Sequence, residues 1–101
     1  MEQLARIARM EQILDQAAEA VNRLDQALED YCAIADRLKT LEEYYFGPQW
    51  RRDYEDDCAG KLPCGFKRGV LSEDAVYNLV AQRDQLMERL GELAAGERKK
   101  P

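Results

Sequence analysis

The fold of this chain is decided by its first long segment, residues 3–45, which reads QLARIARMEQILDQAAEAVNRLDQALEDYCAIADRLKTLEEYY. The segment contains no glycine and no proline, so nothing in it interrupts a helix. Apolar residues recur in two rows with seven-residue spacing, and the alternating rows give the three- and four-residue steps of a coiled-coil seam. The first row is Ile7, Leu14, Val21, Leu28 and Ala35, and the second row is Met10, Ala17, Leu24, Tyr31, Leu38 and Tyr45. The pattern predicts one long helix.

A third apolar row widens this face of the predicted helix. Its members are Ile13, Ala20, Ala27, Ile34 and Leu41. Three adjacent rows are more than a two-stranded seam needs, and they suit a helix that packs against two neighbours in a bundle. We expect the helix to end at Gly47, in a left-handed cap, because Pro48 cannot continue it.

The remaining residues predict a connector, residues 46–71, and a second helix, residues 72–95. Pro48 is suited to open a short helix that runs to about Asp57. Ser72 is a good N-cap for the second helix, with Leu71 and Val76 placed as a hydrophobic staple around it. Residues 96–101 are expected to form a frayed, charged tail. The predicted fold is all-α, a single domain over residues 1–95 in which the long helix and the second helix are antiparallel.

The composition excludes several classes of function. The chain has no histidine, so neither a Ser-His nor a Cys-His catalytic pair nor a His-ligated metal site can form within it. We therefore expect no enzymatic activity and no cofactor. The 15 basic and 20 acidic residues give a net charge of −5, which disfavours binding to nucleic acid or to an anionic membrane.

The pattern of apolar residues and cysteines predicts a cytoplasmic location. No apolar run approaches the ~18–20 residues that cross a bilayer, and the N-terminus lacks the apolar stretch of a signal peptide. The three cysteines, Cys32, Cys58 and Cys64, are an odd number and do not suggest a secreted disulfide framework. We expect reduced thiols.

A set of residues in the connector and the start of the second helix forms a recognisable pattern: Tyr45, Trp50, Asp53, Glu55, Asp57, Gly60, Leu62, Pro63, the run Arg68-Gly69-Val70-Leu71-Ser72-Glu73-Asp74, and Tyr77. This pattern resembles an uncharacterised bacterial family of short acidic helical proteins catalogued as a domain of unknown function. The preceding long acidic helix extends the likeness over nearly the whole chain. The resemblance implies a bacterial, helical, cytoplasmic protein and implies no activity.

Acidic residues and cysteines in the connector could form a metal site. Asp53 and Asp57 are four residues apart and could together hold Mg²⁺ or Ca²⁺. The alternative is a solvated helix face. Cys58 and Cys64 could be a metal or redox pair, but we favour incidental thiols, one or both partly buried.

Basic residues follow the acidic cluster and allow two interpretations. Lys61, Lys67 and Arg68 could form a phosphate or nucleic-acid patch beside the aromatic residues. The neighbouring acids oppose that function. We favour an ion pair between Arg68 and the acidic cluster, which would fold the connector onto itself.

Aromatic residues are concentrated in and beside the connector: Tyr44, Tyr45, Phe46, Trp50, Tyr54 and Phe66. They could form a recognition surface, because Trp, Tyr and Arg dominate the binding energy of interfaces. We favour a small core in which Trp50, Tyr54 and Leu62 dock on the end of the helix pair near Tyr45 and Val76. The candidate partner surface is Tyr45, Trp50, Asp53, Tyr54, Asp57 and Arg68.

The unequal lengths of the two helices predict self-association. At ~1.5 Å per residue, helices of about 43 and about 23 residues differ in length by ~30 Å. Antiparallel packing would set Leu24 near Leu93 and Leu28 near Leu90, and would leave the N-terminal part of the long helix uncovered. The uncovered residues would be Ile7, Met10, Ile13, Leu14, Ala17 and Val21.

The function that we predict is a non-enzymatic interaction or scaffold module that forms a homodimer through its long helix. A helix from an unidentified protein partner is the alternative way to cover the apolar residues. The alternative function is binding of a metal or a small phosphorylated ligand at the acidic and aromatic connector.

Overall fold

The computed structural model describes residues 1–99, and every regular element in that range is helical. The elements are α1 (Glu2–Tyr45), α2 (Pro48–Cys58), a 3-10 helix (Gly69–Leu71) and α3 (Ala75–Lys99). The predicted all-α fold, with a long helix, a short helix, an ordered loop and a second long helix, is confirmed.

The chain divides into two structural units, Met1–Leu38 and Lys39–Pro101. The first unit consists of α1 up to Leu38. All of its residues from Met1 to Asp30 are exposed, whereas Leu38 at its end is buried. The first unit therefore has no core of its own over most of its length.

The second unit contains a small core built from α2, the 3-10 helix and the start of α3. Its buried side chains are Trp50, Leu71 and Val76, which are 8 %, 7 % and 3 % exposed. The 3-10 helix contacts both α2 and α3. Because Leu71 and Val76 lie on either side of the cap residue Ser72, their burial fits the predicted hydrophobic staple.

Within the second unit, two contacts define the direction of α3 relative to the end of α1. The hydroxyl of Tyr45 donates to the backbone carbonyl of Glu73, just before α3 begins. One turn earlier on α1, Glu42 forms an ion pair with Arg83, which lies further along α3. Glu42 precedes Tyr45 on α1, whereas its partner Arg83 follows Glu73 in the chain. The two segments are therefore antiparallel here, as predicted.

Gly47 joins α1 to α2, and the predicted left-handed cap at this residue is wrong. Its backbone is extended, with φ −101° and ψ 175°, and it is the N-cap of α2, which begins at Pro48. A Cβ at this position would lie 2.9 Å from the carbonyl oxygen of Glu43. Glycine therefore fits because the chain passes close to the last turn of α1.

The two ends of α3 differ from the predicted boundaries of 72 and 95. The regular helix begins at Ala75, whose backbone N–H donates to the hydroxyl of Ser72 at 3.1 Å, so Ser72 caps it from three residues away. At the other end α3 continues through Gly96 to Lys99, where a frayed tail was expected. A single helical glycine costs only about 1 kcal/mol, which its good helix-forming neighbours offset. Residues 100 and 101 of that tail lie outside the described residues.

Candidate interaction surfaces

The six residues predicted to mediate self-association form an exposed apolar face on α1. This N-terminal stripe consists of Ile7, Met10, Ile13, Leu14, Ala17 and Val21, and all six are exposed. The exposed fraction of its large side chains runs from 48 % at Ile7 to 63 % at Val21. Because their spacing of three and four residues matches the helical repeat, these side chains share one face of the helix.

The exposed face extends further along α1 than predicted. Leu24 and Leu28 were expected to be covered by the second helix, but they are 47 % and 45 % exposed, and Leu93 on α3 is 58 % exposed. The prediction rested on helix lengths, which do not determine which leucines are covered. The seven-residue pattern shows no change at Leu24 that would mark the end of an exposed stripe.

The aromatic residues of the second unit stack on one another around Trp50. The ring centroids of Tyr45 and Trp50 are 5.0 Å apart with the rings inclined at 62°, and those of Trp50 and Tyr54 are 5.0 Å apart and nearly parallel. The indole N–H of Trp50 donates to the carbonyl of Val70 at 2.8 Å. The geometry supports the favoured structural role of this group, since Trp50 is buried at its centre.

Glu73 fixes two of these tyrosines at the start of α3. The Tyr45 hydroxyl donates to the backbone carbonyl of Glu73, and the Tyr54 hydroxyl donates to its carboxylate. The role of Glu73 as an acceptor was not predicted, because its place near a helix start already explains an acidic residue there.

Three other aromatic side chains remain on the surface. Phe46, Phe66 and Tyr77 are 66 %, 62 % and 59 % exposed. Phe46 also borders an open cleft of about 510 Å³, whose described lining residues are Tyr45, Phe46, Gly47, Pro48, Trp50 and Arg51. A site for a phosphorylated ligand needs several polar groups that converge on the ligand, and Arg51 is the one charged side chain in this lining.

Three of the four acidic residues of α2 are held by separate groups of the chain. Asp53 accepts a hydrogen bond from the hydroxyl of Tyr44 at 2.6 Å. Asp56 lies 3.8 Å from the ammonium of Lys61. Asp57 forms an ion pair with Arg68. Asp53 and Asp57 thus have different partners, and among residues 1–99 they do not cluster with a third candidate ligand from His, Cys, Asp or Glu.

Arg68 closes the connector, and the predicted ion pair with the acidic cluster is confirmed. Its guanidinium contacts the carboxylate of Asp57 and donates to the carbonyl of Pro63 at 2.6 Å and to that of Phe66 at 3.2 Å. One planar group therefore joins the end of α2 to two points of the following loop, which only arginine among the basic residues can do.

Two tyrosines are held in their protonated form. The pKa of Tyr44 is raised to about 12. The largest cause is partial burial, and smaller contributions come from the hydrogen bond to Asp53 and the negative charge of that carboxylate. The hydrogen bond to Glu73, with a smaller contribution from Cys58, raises the pKa of Tyr54 to about 12. Both hydroxyls therefore remain donors throughout the neutral pH range.

The cysteines lie on the surface as free thiols. Cys32, Cys58 and Cys64 are all exposed, so the expectation that Cys58 or Cys64 is partly buried is wrong. Cys64 lies in the loop that follows α2, between Gly60 and Gly65, which both have positive φ. In the described part of the chain, no three potential ligands from His, Cys, Asp and Glu cluster closely enough for a metal ion.

The ion pair between Glu42 and Arg83 was not predicted from the sequence either. Both side chains are largely buried, with exposed fractions of 25 % and 22 %. A signal for it exists, because Glu42 stands seven residues after Ala35, at the next position of the first apolar row. Arg83 likewise interrupts the apolar seam of α3. Two interruptions of opposite charge on neighbouring helices favour a pair.

The comparisons with known proteins identify a family without a known activity. Within residues 1–99, no helix is long and apolar enough to cross a membrane. No curated protein and no solved structure matches the chain. One family model does match it, over residues 7–93. The chain belongs to the family described as a domain of unknown function, DUF4298.

Proposed function

We propose that this protein is a non-enzymatic interaction module that forms a homodimer through the N-terminal stripe of α1. The observation that carries the proposal is the exposure of that stripe, whose large side chains are between 48 % and 63 % exposed. The first 30 residues are helical and exposed throughout. In water, most of the stability of a helix comes from packing of its apolar face, so a helix of this kind needs a partner.

A second copy of the chain is the simplest partner for the stripe. Two-fold pairing places the same face of each copy against the other and leaves no stripe open for further growth. Burial of apolar area contributes roughly 25 cal/mol for each Å², so a stripe of six residues on each copy provides a substantial driving force. A helix from another protein would cover the stripe equally well and is the alternative that the experiment below distinguishes.

The connector supports a structural role over a catalytic or ligand-binding one. Asp53, Asp56 and Asp57 are each engaged by a group of the same chain. The chain has no histidine to act as a general base near neutral pH. The three free thiols fit the proposed cytoplasmic location, where cysteines are kept reduced.

Light scattering coupled to size-exclusion chromatography tests the homodimer. We expect a mass of twice 11.6 kDa at tens of micromolar protein. The Leu14→Asp variant should elute as a monomer, because two carboxylates would be buried in the interface. The matched control is Gln12→Asp, which adds the same charge to the opposite face of α1 and should remain a dimer.

Two results would contradict the proposal. One is a monomer of wild-type protein near 11.6 kDa under these conditions. The other is a Leu14→Asp variant that remains a dimer. A monomeric wild-type protein that forms a stoichiometric complex with another helical protein would favour the hetero-partner.

A further inference from the structure

The charged residues that flank the N-terminal stripe have a pattern that selects one orientation of the partner helix. In the seven-residue repeat, Arg6 directly precedes the first row at Ile7, and Glu11 directly follows the second row at Met10. Both charged side chains are exposed. In a coiled coil, residues at these two positions border the seam and contact the other helix, where they determine partner choice and orientation.

From this pattern we propose that the two copies of α1 pair in parallel and in register through the stripe, an inference that rests on the proposed homodimer. In a parallel pair, a residue that precedes a first-row residue lies beside a residue of the other helix that follows a second-row residue. The second residue has a number five higher than the first. Arg6 then lies beside Glu11 of the partner subunit. Two-fold symmetry forms this pair twice. The same geometry sets Ile13 beside Ala18 and Ala20 beside Asp25, so no like charges meet.

The antiparallel arrangements of the same stripe lack these pairs. In an antiparallel pair, residues that follow the second row, such as Glu11, contact residues that follow the second row of the other helix. Residues that precede the first row, such as Arg6, likewise contact one another. Depending on the register, Glu11 then faces Ala18, Asp25 or Glu11 of the partner subunit. The first register gains no ion pair, and the other two bring carboxylates together, which is unfavourable. The parallel register is the one in which opposite charges meet.

A charge exchange between two variants tests the orientation. Arg6→Glu alone sets two carboxylates beside each other at both pairs, and Glu11→Arg alone sets two guanidinium groups beside each other at both. We expect each variant alone to dimerise about tenfold more weakly than the wild type. When the two variants are mixed, a heterodimer joins opposite charges at both pairs, because one copy carries carboxylates at positions 6 and 11 and the other carries guanidinium groups at both positions. The mixture should therefore form a heterodimer in preference to either homodimer.

The charge-exchange experiment has a stricter form in a single chain. The double variant Arg6→Glu with Glu11→Arg reverses both charges, so each parallel pair again joins a carboxylate to a guanidinium group. We expect this double variant to dimerise about as tightly as the wild type, whereas each single variant is weaker. In the antiparallel registers the two positions never meet, so the double variant would gain nothing from the second change.

Disulfide trapping provides an independent measurement, which can also detect a dimer that forms only weakly. In a background of Cys32→Ser, Cys58→Ser and Cys64→Ser, the variant Ala17→Cys places a thiol in the second row. In a parallel pair this thiol faces the same thiol of the partner subunit, at a separation suited to a disulfide. In the antiparallel registers it faces a residue of the first row instead. We expect rapid oxidation to a covalent dimer. The control Gln12→Cys, on the opposite face, should oxidise slowly.

The outcomes separate this inference from the proposed function. A wild-type monomer by light scattering would overturn both. A wild-type dimer in which Ala17→Cys does not crosslink faster than Gln12→Cys, or in which the double charge variant dimerises no better than the single variants, would overturn the parallel orientation and leave the homodimer standing. Circular dichroism confirms that each variant keeps the helix content of the wild type.

Discussion

The indole N–H of Trp50 donates a hydrogen bond to the backbone carbonyl of Val70, with a nitrogen–oxygen distance of 2.8 Å. Trp50 lies on α2 and Val70 in the 3-10 helix, so one side chain ties together the two elements on either side of the connector loop. The indole is also the most buried aromatic group of the chain's described part, at 8 % exposure. The small core of the second unit is therefore organised around a single residue.

Replacement of Trp50 should lower the temperature at which the second unit unfolds. We expect Trp50→Ala to lower the free energy of unfolding by about 3–5 kcal/mol, because it removes a buried ring and leaves the Val70 carbonyl without its donor. Thermal denaturation followed by circular dichroism measures the change. Phe46→Ala is the control, since that ring is 66 % exposed, and it should cost less than about 1 kcal/mol. An unchanged midpoint for Trp50→Ala would indicate a surface role for the ring.

Glu42 and Arg83 should be energetically coupled. Both side chains are about three-quarters buried, so removal of one leaves the other charge in a poorly solvated position. We expect Glu42→Ala and Arg83→Ala each to cost about 1–2 kcal/mol, and the double variant to cost about 1 kcal/mol less than the sum. Asp84→Ala is the control, because its contact with Arg83 is exposed and contributes little. Additive costs in urea denaturation would mean that the pair contributes no coupling.

The start of α2 and the capping residue of α3 could be predicted from the sequence because the signals for them are local. Pro48 favours a helix start by its own fixed φ angle, and Ser72 caps α3 with a hydroxyl that reaches only three residues ahead. The Arg68 ion pair could also be predicted, since the opposite charge lies close by in a short loop.

The features that could not be predicted depend on contacts between distant segments. The role of Gly47 comes from its distance to the Glu43 carbonyl, which no residue type signals. The pairing of Glu42 with Arg83 depends on the alignment of two helices whose contacts lie far apart in the chain. The exposure of Leu24 and Leu28 could not be predicted either, because the same heptad pattern describes a covered and an uncovered helix.

Arg68 should not be replaceable by lysine. Its guanidinium contacts Asp57, Pro63 and Phe66 with different nitrogen atoms, whereas a lysine ammonium is a single point of donation. We expect Arg68→Lys to destabilise the connector by about 1–2 kcal/mol. Hydrogen exchange of residues 59–68 should accelerate, while exchange in the middle of α3 should not. The same exchange rates for wild type and Arg68→Lys would show that charge alone holds the loop.

The purified protein should carry no stoichiometric metal. Three acidic residues of α2, Asp53, Asp56 and Asp57, are engaged by Tyr44, Lys61 and Arg68, so a metal ion would have to displace these contacts. Elemental analysis of protein prepared without chelator measures the metal content. One zinc per chain in the wild type, absent from a Cys58→Ser variant, would contradict this expectation and favour a thiolate site.

Stability should fall at high pH through Tyr44 and Tyr54. Each pKa is raised from 10.0 to about 12 in the folded chain, so the folded state holds these protons more tightly than the unfolded state. The stabilisation is therefore complete below pH 10 and is lost as the pH rises toward 12. We expect the thermal midpoint to decline across this interval. The decline should be smaller in Tyr44→Phe and in Tyr54→Phe, which have no proton to lose.

Tyr77 provides the matched control for that measurement. Its side chain is 59 % exposed, so Tyr77→Phe controls for the loss of an exposed tyrosine hydroxyl. Titration of tyrosinate by ultraviolet absorbance gives a second readout, in which two tyrosines of the folded protein should ionise near pH 12. If Tyr44→Phe and Tyr54→Phe decline with pH as steeply as the wild type, their hydrogen bonds to Asp53 and Glu73 do not stabilise the folded chain.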